Sequence, residues 1–284
     1  MRRCAVLILS GSSGRIETDR ARLLAAQGAA VLPFQWFGGP GQPPEICEIP
    51  LETFAPALDR LAAASDNLAI IGTSRGAEAA LLLAAHDPRV RAVAALAPTS
   101  VLWPFVTSGG GAEGATGGGP EGESGGGSGG GTGEGLEGGG GDHLYRSSWT
   151  LAGKPLPFVP FDETWIGGPE SFRGIYEQSL RTFAERIEAA TIPVEDIEGR
   201  VLLTAGTDDR LWPADRFAAD IAARRAAHGL PTEVLIGAGA GHRVRLPGEP
   251  PIAPGRIGHG GSPEADAAFG ARVWPRLLSF LNLA

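Results

Sequence analysis

The sequence predicts an α/β protein with a mostly parallel sheet and helices on both faces. Short apolar runs alternate with longer Ala-, Leu- and Arg-rich segments of helical period, which is typical of repeated β-α-β units. A glycine-bracketed serine also stands between a strand and a helix, in "NLAIIGTSRGAEAALLLAAHD" at residues 67–87. Finally, two aspartates and a histidine follow later apolar runs, at the strand ends where such folds place their functional residues.

Six apolar runs are predicted to be strands, in the order "CAVLILS", "AAVLPFQ", "NLAIIG", "VRAVAAL", "RVLLTAG" and "TEVLIG". Helices are predicted over residues 17–27, 51–64, 75–86, 172–190 and 213–228, with a last one from residue 263. Ser262 can cap that last helix, and Pro263 fits its first position. Residues 99–190 interrupt the alternation after the fourth run, and an excursion from the carboxyl end of a strand is predicted to be a lid over a site.

One segment does not have the composition of a packed domain. Of the 44 glycines, many lie between residues 109 and 141, where almost every residue is Gly, Ser, Thr or Glu. This tract has almost nothing to bury, so we expect it to be a flexible, disordered loop. The rest suits one domain, so residues 1–284 are predicted to form a single domain whose lid excursion contains the tract.

Charge and cysteine content exclude several classes of protein. The net charge is −8, and five of the acidic residues lie in the glycine tract, so no nucleic-acid partner is expected. The two cysteines, Cys4 and Cys47, are predicted to be reduced thiols rather than a disulfide or metal framework, and no cofactor is expected. No stretch approaches the length of a membrane span, so the sequence predicts a cytoplasmic protein without membrane contact. The oligomeric state stays open.

Ser74 is the candidate nucleophile. Gly72, Ser74 and Gly76 fit the G-x-S-x-G pattern, in which a serine lies on a strained turn and the glycines keep side chains off the neighbouring strand and helix. The pattern also occurs twice inside the glycine tract, at 122–126 and 126–130. Only Ser74 follows an apolar strand and precedes a helix. The alternative is an ordinary tight turn between the two.

An oxyanion site is expected beside Ser74. The backbone N–H of Arg75 lies at the start of a helix, where it can donate to a developing negative charge. A second donor is expected from the loop "LSGSSGR", residues 9–15, through the N–H of Ser12 or Ser13. A simple glycine turn explains that loop equally well.

Serine needs a base, and His242 in "VLIGAGAGHRVRLP" lies just past the final strand, where a loop histidine can reach the serine. His259 is the competitor, closer to the last helix. The orienting carboxylate is expected from "VLLTAGTDDRLWP", which offers Asp208 and Asp209 directly after a strand. The order Ser, Asp, His is that of the α/β-hydrolases, so the α/β-hydrolase fold is predicted.

These segments resemble the C-terminal catalytic domain of the acyl-CoA thioesterase and bile acid-CoA:amino acid N-acyltransferase family. The resemblance rests on "GTSRGAE", "SSWTLAGKPLPFVPF", "IPVEDIEGRVLLTAGTDDRLW", "GAGAGH", "GGSPEADAAFGARVWPRLLSFL" and "SGSSGRIETDRARLLAAQGAAVL". It covers nearly the whole chain apart from the glycine tract. Eukaryotic members carry an additional N-terminal β-sandwich domain, whereas this sequence begins at the first predicted strand.

The resemblance implies a catalytic triad of Ser74, Asp209 and His242. It also implies a serine hydrolase that cleaves acyl thioesters through an acyl-serine intermediate, and acyl-CoA is the expected substrate. Family transferases use cysteine and pass the acyl group to an amine, so serine favours water as the acceptor. The alternatives are a carboxylesterase or dienelactone-hydrolase-like enzyme acting on small esters, an acyl-CoA:amine N-acyltransferase, and a non-catalytic binding module.

Overall fold

A computed structural model describes residues 4–107, 144–251 and 257–284. Its strands are β1 (Ala5–Leu9), β2 (Ala30–Phe34), β3 (Ile49–Pro50), β4 (Leu68–Thr73), β5 (Val90–Leu96), β6 (Pro104–Thr107), β7 (Leu144–Ser147), β8 (Trp149–Leu151), β9 (Lys154–Pro155), β10 (Arg200–Gly206) and β11 (Thr232–Gly237). Its α-helices are α1 (Thr18–Ala26), α2 (Ala55–Ala64), α3 (Arg75–His86), α4 (Arg173–Thr182), α5 (Ile187–Ala190), α6 (Ala214–Ala227) and α7 (Pro263–Phe280). The predicted glycine tract at 109–141 lies outside the described residues.

A six-stranded parallel sheet forms the centre of the fold, with the strand order β11-β10-β5-β4-β1-β2. All six predicted strands are therefore confirmed. The four inner strands of the sheet are almost wholly buried, and strands buried on both faces appear as continuous apolar runs in the sequence. Pro33 cannot donate to a neighbour, and it lies in β2 at the edge of the sheet, where the loss matters least.

Helices cover both faces of the sheet, as predicted. Because side chains alternate along a strand, β1 directs Leu7 into one apolar cluster with α2, α3 and α6. It directs Val6 and Ile8 into a second cluster with α1 and α7. The fold is thus a three-layer α/β sandwich. Since every strand of the sheet is parallel, the carboxyl ends lie along one edge, where the loops after β1, β4, β10 and β11 meet.

The excursion between β5 and β10 contains structure that the sequence did not predict. β6 and β7 pair as an antiparallel hairpin, and β8 pairs with β3 on one side and with β9 on the other. The prediction of one helix over 172–190 was wrong, because α4 ends before Phe183, whose φ of −111° and ψ of 42° leave helical geometry. A 3₁₀ turn and the short α5 follow.

The helices predicted over 17–27, 75–86 and 213–228, and the start of the last helix at residue 263, are confirmed to within one residue. The helix predicted over 51–64 is confirmed only from residue 55, because residues 51–54 form a 3₁₀ turn that leads into α2. Ser262 caps α7 through a 3.1 Å hydrogen bond from the N–H of Ala265. Among the helices that the structure describes, none is long and apolar enough to cross a membrane.

Candidate active site

Ser74 lies at the turn between β4 and α3 in a conformation that few non-glycine residues adopt. Its φ is 56° and its ψ is −122°, and its N–H donates to the carbonyl oxygen of Leu96 at 2.9 Å. The flanking glycines allow this turn to form. A Cβ on Gly72 would lie 2.0 Å from the oxygen of Gly76, and one on Gly76 would lie 2.3 Å from the oxygen of Ser10. Both positions therefore exclude any side chain.

The loop after β1 runs against this turn. A Cβ on Gly11 would lie 3.1 Å from the Cβ of Ser74 and 3.6 Å from its Oγ, so the backbone there passes close to the hydroxyl. On the other side, Arg75 is the first residue of α3. The first N–H groups of a helix have no partner within it, so they can serve an acceptor outside. Two backbone segments thus flank Ser74.

Asp209 and His242 form a buried pair at the ends of β10 and β11. Oδ2 of Asp209 lies 2.8 Å from Nδ1 of His242. Oδ1 accepts from the backbone N–H groups of Leu211, at 2.9 Å, and Trp212, at 3.2 Å. Complete burial raises the pKa of the Asp209 carboxyl, whereas His242 and the two N–H groups act in the opposite direction. The remaining ring nitrogen, Nε2, is buried and has no hydrogen-bond partner within the described residues.

Asp208 and His259, the alternative candidates for the carboxylate and the base, lie nearby and make different contacts. The side chain of Asp208 is 41% exposed. Its Oδ2 accepts from the N–H of Gly261 at 2.8 Å, so it holds the loop after residue 257 against the Asp209 turn. His259 presents its carbonyl oxygen to the N–H of His242 at 2.8 Å. The centres of the two histidine rings are 6.2 Å apart. Asp208 and His259 therefore support the backbone around the Asp209–His242 pair.

A cleft of about 600 Å³ opens at this edge of the sheet. The cleft is lined by four of the predicted site residues, Ser12, Ser13, Ser74 and His242. The other lining residues are Gly11, Arg15, Ile16, Glu17, Thr18, Asp19, Arg20, Thr73, Leu211, Arg243, Val244, Arg245, Glu249, Pro250, Pro251 and His259. The cleft thus brings the predicted serine, histidine and glycine loop together, and Asp209 lies behind the histidine. Its lining includes no described residue of the excursion over 99–190, so the predicted lid is not confirmed.

Two buried ion pairs near the site were not anticipated from the sequence. Arg20 on α1 pairs with Glu249. Arg75 pairs with Glu78 within α3, and its guanidinium also donates to the carbonyl of Trp103 and to Ser148 Oγ. A weak signal was present for Arg20 alone, since it stands four residues before the buried Leu24 and therefore shares its helix face.

The parallel sheet, the turn at Ser74 and the order of the following loops define an α/β-hydrolase fold, and solved structures share it. A dienelactone hydrolase-like promiscuous phosphotriesterase from metagenomic libraries aligns with a TM-score of 0.51 at 16% identity, over 99% of this chain and 86% of that one. A putative dienelactone hydrolase from Klebsiella pneumoniae aligns with a TM-score of 0.51 at 15% identity, over 98% and 86%. A puromycin-hydrolysing peptidase from Mycobacterium tuberculosis reaches 0.56 at 15% identity, over 99% of this chain and 34% of that one.

The second part of the chain matches a known protein family. Residues 151–284 match the family described as BAAT / Acyl-CoA thioester hydrolase C terminal. The resemblance found in the sequence is thereby confirmed for this region, which holds Asp209 and His242. A comparison with curated protein sequences finds no match.

Proposed function

We propose that this protein is a serine hydrolase that cleaves acyl thioesters through an acyl-Ser74 intermediate. The observation that carries the proposal is that Ser74 and His242 line the same cleft. Ser74 has a φ of 56°, and His242 is hydrogen-bonded to the buried Asp209. A nucleophile on a strained turn, a histidine and a carboxylate that orients it are the parts that acyl transfer requires.

The first half of the reaction forms the acyl-enzyme. His242 Nε2 takes the proton of Ser74 Oγ while Oγ attacks the thioester carbonyl carbon. Asp209 holds Nδ1–H, which keeps Nε2 in the unprotonated state that a base needs, and it stabilises the imidazolium that forms. The tetrahedral intermediate then collapses. The C–S bond breaks, and the proton on Nε2 passes to the leaving thiol.

The second half releases the acid. Water gives a proton to His242 Nε2 and attacks the acyl carbon, and the ester bond to Ser74 Oγ breaks as Oγ regains the proton. In both halves the negative oxygen is stabilised by the backbone N–H of Arg75 and by an N–H from Ser12 or Ser13. The closeness of Gly11 to Ser74 supports the second donor, because the loop backbone passes near Oγ, the atom to which the acyl carbon would bond.

Labelling and turnover of Ser74→Ala test the proposal. A fluorophosphonate probe should attach to Ser74, located by mass spectrometry of the digested protein, and the variant should lose labelling. Alanine keeps the Cβ and the turn, so the variant should fold while turnover of an acyl-CoA falls on the order of 10⁴-fold. Substantial turnover in the variant would contradict the serine mechanism. Absent labelling and absent turnover in the wild type would favour a binding module.

The acyl acceptor and the leaving group need their own assay. Wild type and Ser74→Cys are incubated with a medium-chain acyl-CoA and excess glycine or taurine, and free acid and amide are quantified by mass spectrometry. The wild type should make mostly acid, because an oxygen ester is less reactive toward amines than the thioester that cysteine forms. Mostly amide from the wild type would assign an N-acyltransferase. Cleavage of p-nitrophenyl esters without consumption of acyl-CoA would assign a carboxylesterase.

A further inference from the structure

Arg20 is a buried arginine that no step of the proposed reaction uses. It lies on α1, and its side chain is only 6% exposed although the residue lines the cleft. Burying a guanidinium is costly unless it is paired and hydrogen-bonded. Its contacts therefore show what the fold gains from placing it there.

The guanidinium joins the segment that carries Ser74 to the segment that carries His242. Nη1 donates to Thr73 Oγ1 at 2.9 Å, and Thr73 directly precedes Ser74. Nη2 donates to the carbonyl oxygen of Val244, two residues after His242, at 3.2 Å. One rigid, planar group thus spans the two loops whose side chains must exchange a proton.

Glu249 holds the guanidinium in place and balances its charge. Its Oε1 lies 2.7 Å from Nε and its Oε2 lies 3.2 Å from Nη2 of Arg20, which is a two-point contact. Oε2 also accepts from the N–H of Leu246 at 2.8 Å. Burial opposes the charge of Arg20, but Glu249 outweighs this and raises the pKa of the guanidinium. Because a carboxylate already takes two of its donors, Arg20 is arranged to hold protein segments rather than to bind an anion.

We infer that Arg20 is a positioning residue that fixes the Ser74 turn relative to the His242 loop, an inference that rests on the proposed serine mechanism. Proton transfer requires the donor and acceptor within hydrogen-bond reach, and a misplacement of about 1 Å costs on the order of 100-fold in rate. A strained turn keeps its shape only if its surroundings hold it. The hydrogen bond to Thr73 is the contact through which Arg20 holds the turn.

Substitutions at Thr73 isolate this contact. Thr73→Val keeps the shape of the side chain and removes the acceptor for Nη1, while Thr73→Ser keeps the acceptor. For each variant we would measure kcat and KM with a p-nitrophenyl ester, the rate of fluorophosphonate labelling and the melting temperature. Thr73→Val should lower kcat and the labelling rate by roughly 10- to 100-fold with KM nearly unchanged, and Thr73→Ser should restore most of the loss.

A comparison of Arg20→Lys with Arg225→Lys, a substitution of another buried arginine, distinguishes an effect on the position of the catalytic groups from an effect on stability. Lysine cannot make the planar contacts to Thr73, Val244 and Glu249 at once, so Arg20→Lys should also lower kcat. Arg225 is 1% exposed and bonds the carbonyls of Val194, Ile197 and Gly199, away from the cleft. Arg225→Lys should lower the melting temperature and leave kcat unchanged.

Three results would overturn the inference. The first is labelling of Thr73→Val and Arg20→Lys at the wild-type rate, and the second is a fall in kcat for Arg225→Lys as large as for Arg20→Lys. The third is a wild-type kcat in the double variant Arg20→Met with Glu249→Met, which would show that Arg20 only neutralises Glu249. This variant removes both charges, so it also provides a test if Arg20→Lys does not fold. We expect the double variant to stay folded and to have a low kcat. Failure of the wild type to label at Ser74 would instead contradict the proposed mechanism.

Discussion

Nδ1 of His242 lies 2.8 Å from Oδ2 of Asp209, and their side chains are 3% and 0% exposed. The other carboxylate oxygen is held by two backbone N–H groups, so the carboxylate has one orientation available to it. The contact assigns the proton to Nδ1 of the neutral ring and leaves Nε2 as the acceptor. In the proposed mechanism this is the atom that takes the proton of Ser74.

Asp209→Asn tests this relationship. An amide at this position can donate to Nδ1 and so favour the wrong tautomer of His242, and kcat should fall on the order of 10⁴-fold. Asp208→Asn is the matched control. Asp208 contacts Gly261 and Arg210 rather than the histidine, and asparagine keeps an acceptor for Gly261. Its kcat should stay close to that of the wild type. The opposite pattern would make Asp208 the orienting residue.

Gly76→Ala should destabilise the fold. The added Cβ would lie 2.3 Å from the oxygen of Ser10 and 2.5 Å from that of Leu9, both backbone atoms that cannot move aside cheaply. The free energy of unfolding, from urea denaturation, should fall by at least about 2 kcal/mol.

Gly229→Ala is the control for this substitution. Gly229 has a φ of 72° but nothing within 4 Å of an added Cβ, so only backbone strain of about 1 kcal/mol is expected. Equal losses in the two variants would show that the clash at Gly76 is relieved by movement.

A third prediction concerns pH and the loop that carries His242. Asp266 on α7 accepts from the N–H of Gly241 at 2.8 Å. Burial raises the pKa of Asp266, and the negative charge of Asp208 raises it further, while the Gly241 hydrogen bond acts against both. Its contribution to stability is therefore fully present below the unfolded pKa of about 3.9 and is lost as the pH rises through the higher folded pKa.

Asp266→Asn keeps an acceptor for Gly241 and cannot ionise. Relative to the wild type, the variant should therefore gain free energy of unfolding as the pH rises from below about 3.9 through the raised pKa of Asp266. Urea denaturation at several pH values measures the difference. A difference that is constant with pH would contradict the raised pKa.

The sequence was sufficient to predict the strands of the sheet and to identify the polar residues that follow them. Ser74, Asp209 and His242 could be named as candidates because each comes shortly after an apolar run, and parallel strands bring their carboxyl ends to one edge. Choosing Asp209 over Asp208 needed the family resemblance, since both aspartates follow the same strand. The structure separates them by the direction of their contacts.

The features that the sequence did not predict depend on residues far apart in the chain. Arg20 and Glu249 are 229 positions apart, and an arginine within a helix is usually exposed. β3 is two residues long and is defined by its pairing with Trp149 and Thr150, so no local pattern marks it. The break at Phe183 has no Pro or Gly beside it, and the helical period continues through it.

Glu78 connects the helix that follows Ser74 to the excursion. Its side chain is 0% exposed, Oε2 lies 2.7 Å from Arg75 Nη1, and Oε1 accepts from the indole N–H of Trp149 at 2.5 Å. Glu78→Gln keeps an acceptor for Trp149 but leaves the Arg75 guanidinium buried without its counter-charge. Breaking a buried pair in this way costs about 3 kcal/mol or more, and urea denaturation should show a loss of that size.

An exposed pair provides the control for this last substitution. Arg276 and Glu233 are 2.7 Å apart, with side chains 60% and 31% exposed, so Glu233→Gln should cost less than about 1 kcal/mol. If Glu78→Gln costs as little as Glu233→Gln, the contacts of Arg75 with Trp103 and Ser148 are enough to hold its charge. If the predicted difference appears, the buried charge of Arg75 depends on the Glu78 carboxylate, and the contacts with Trp103 and Ser148 do not replace it.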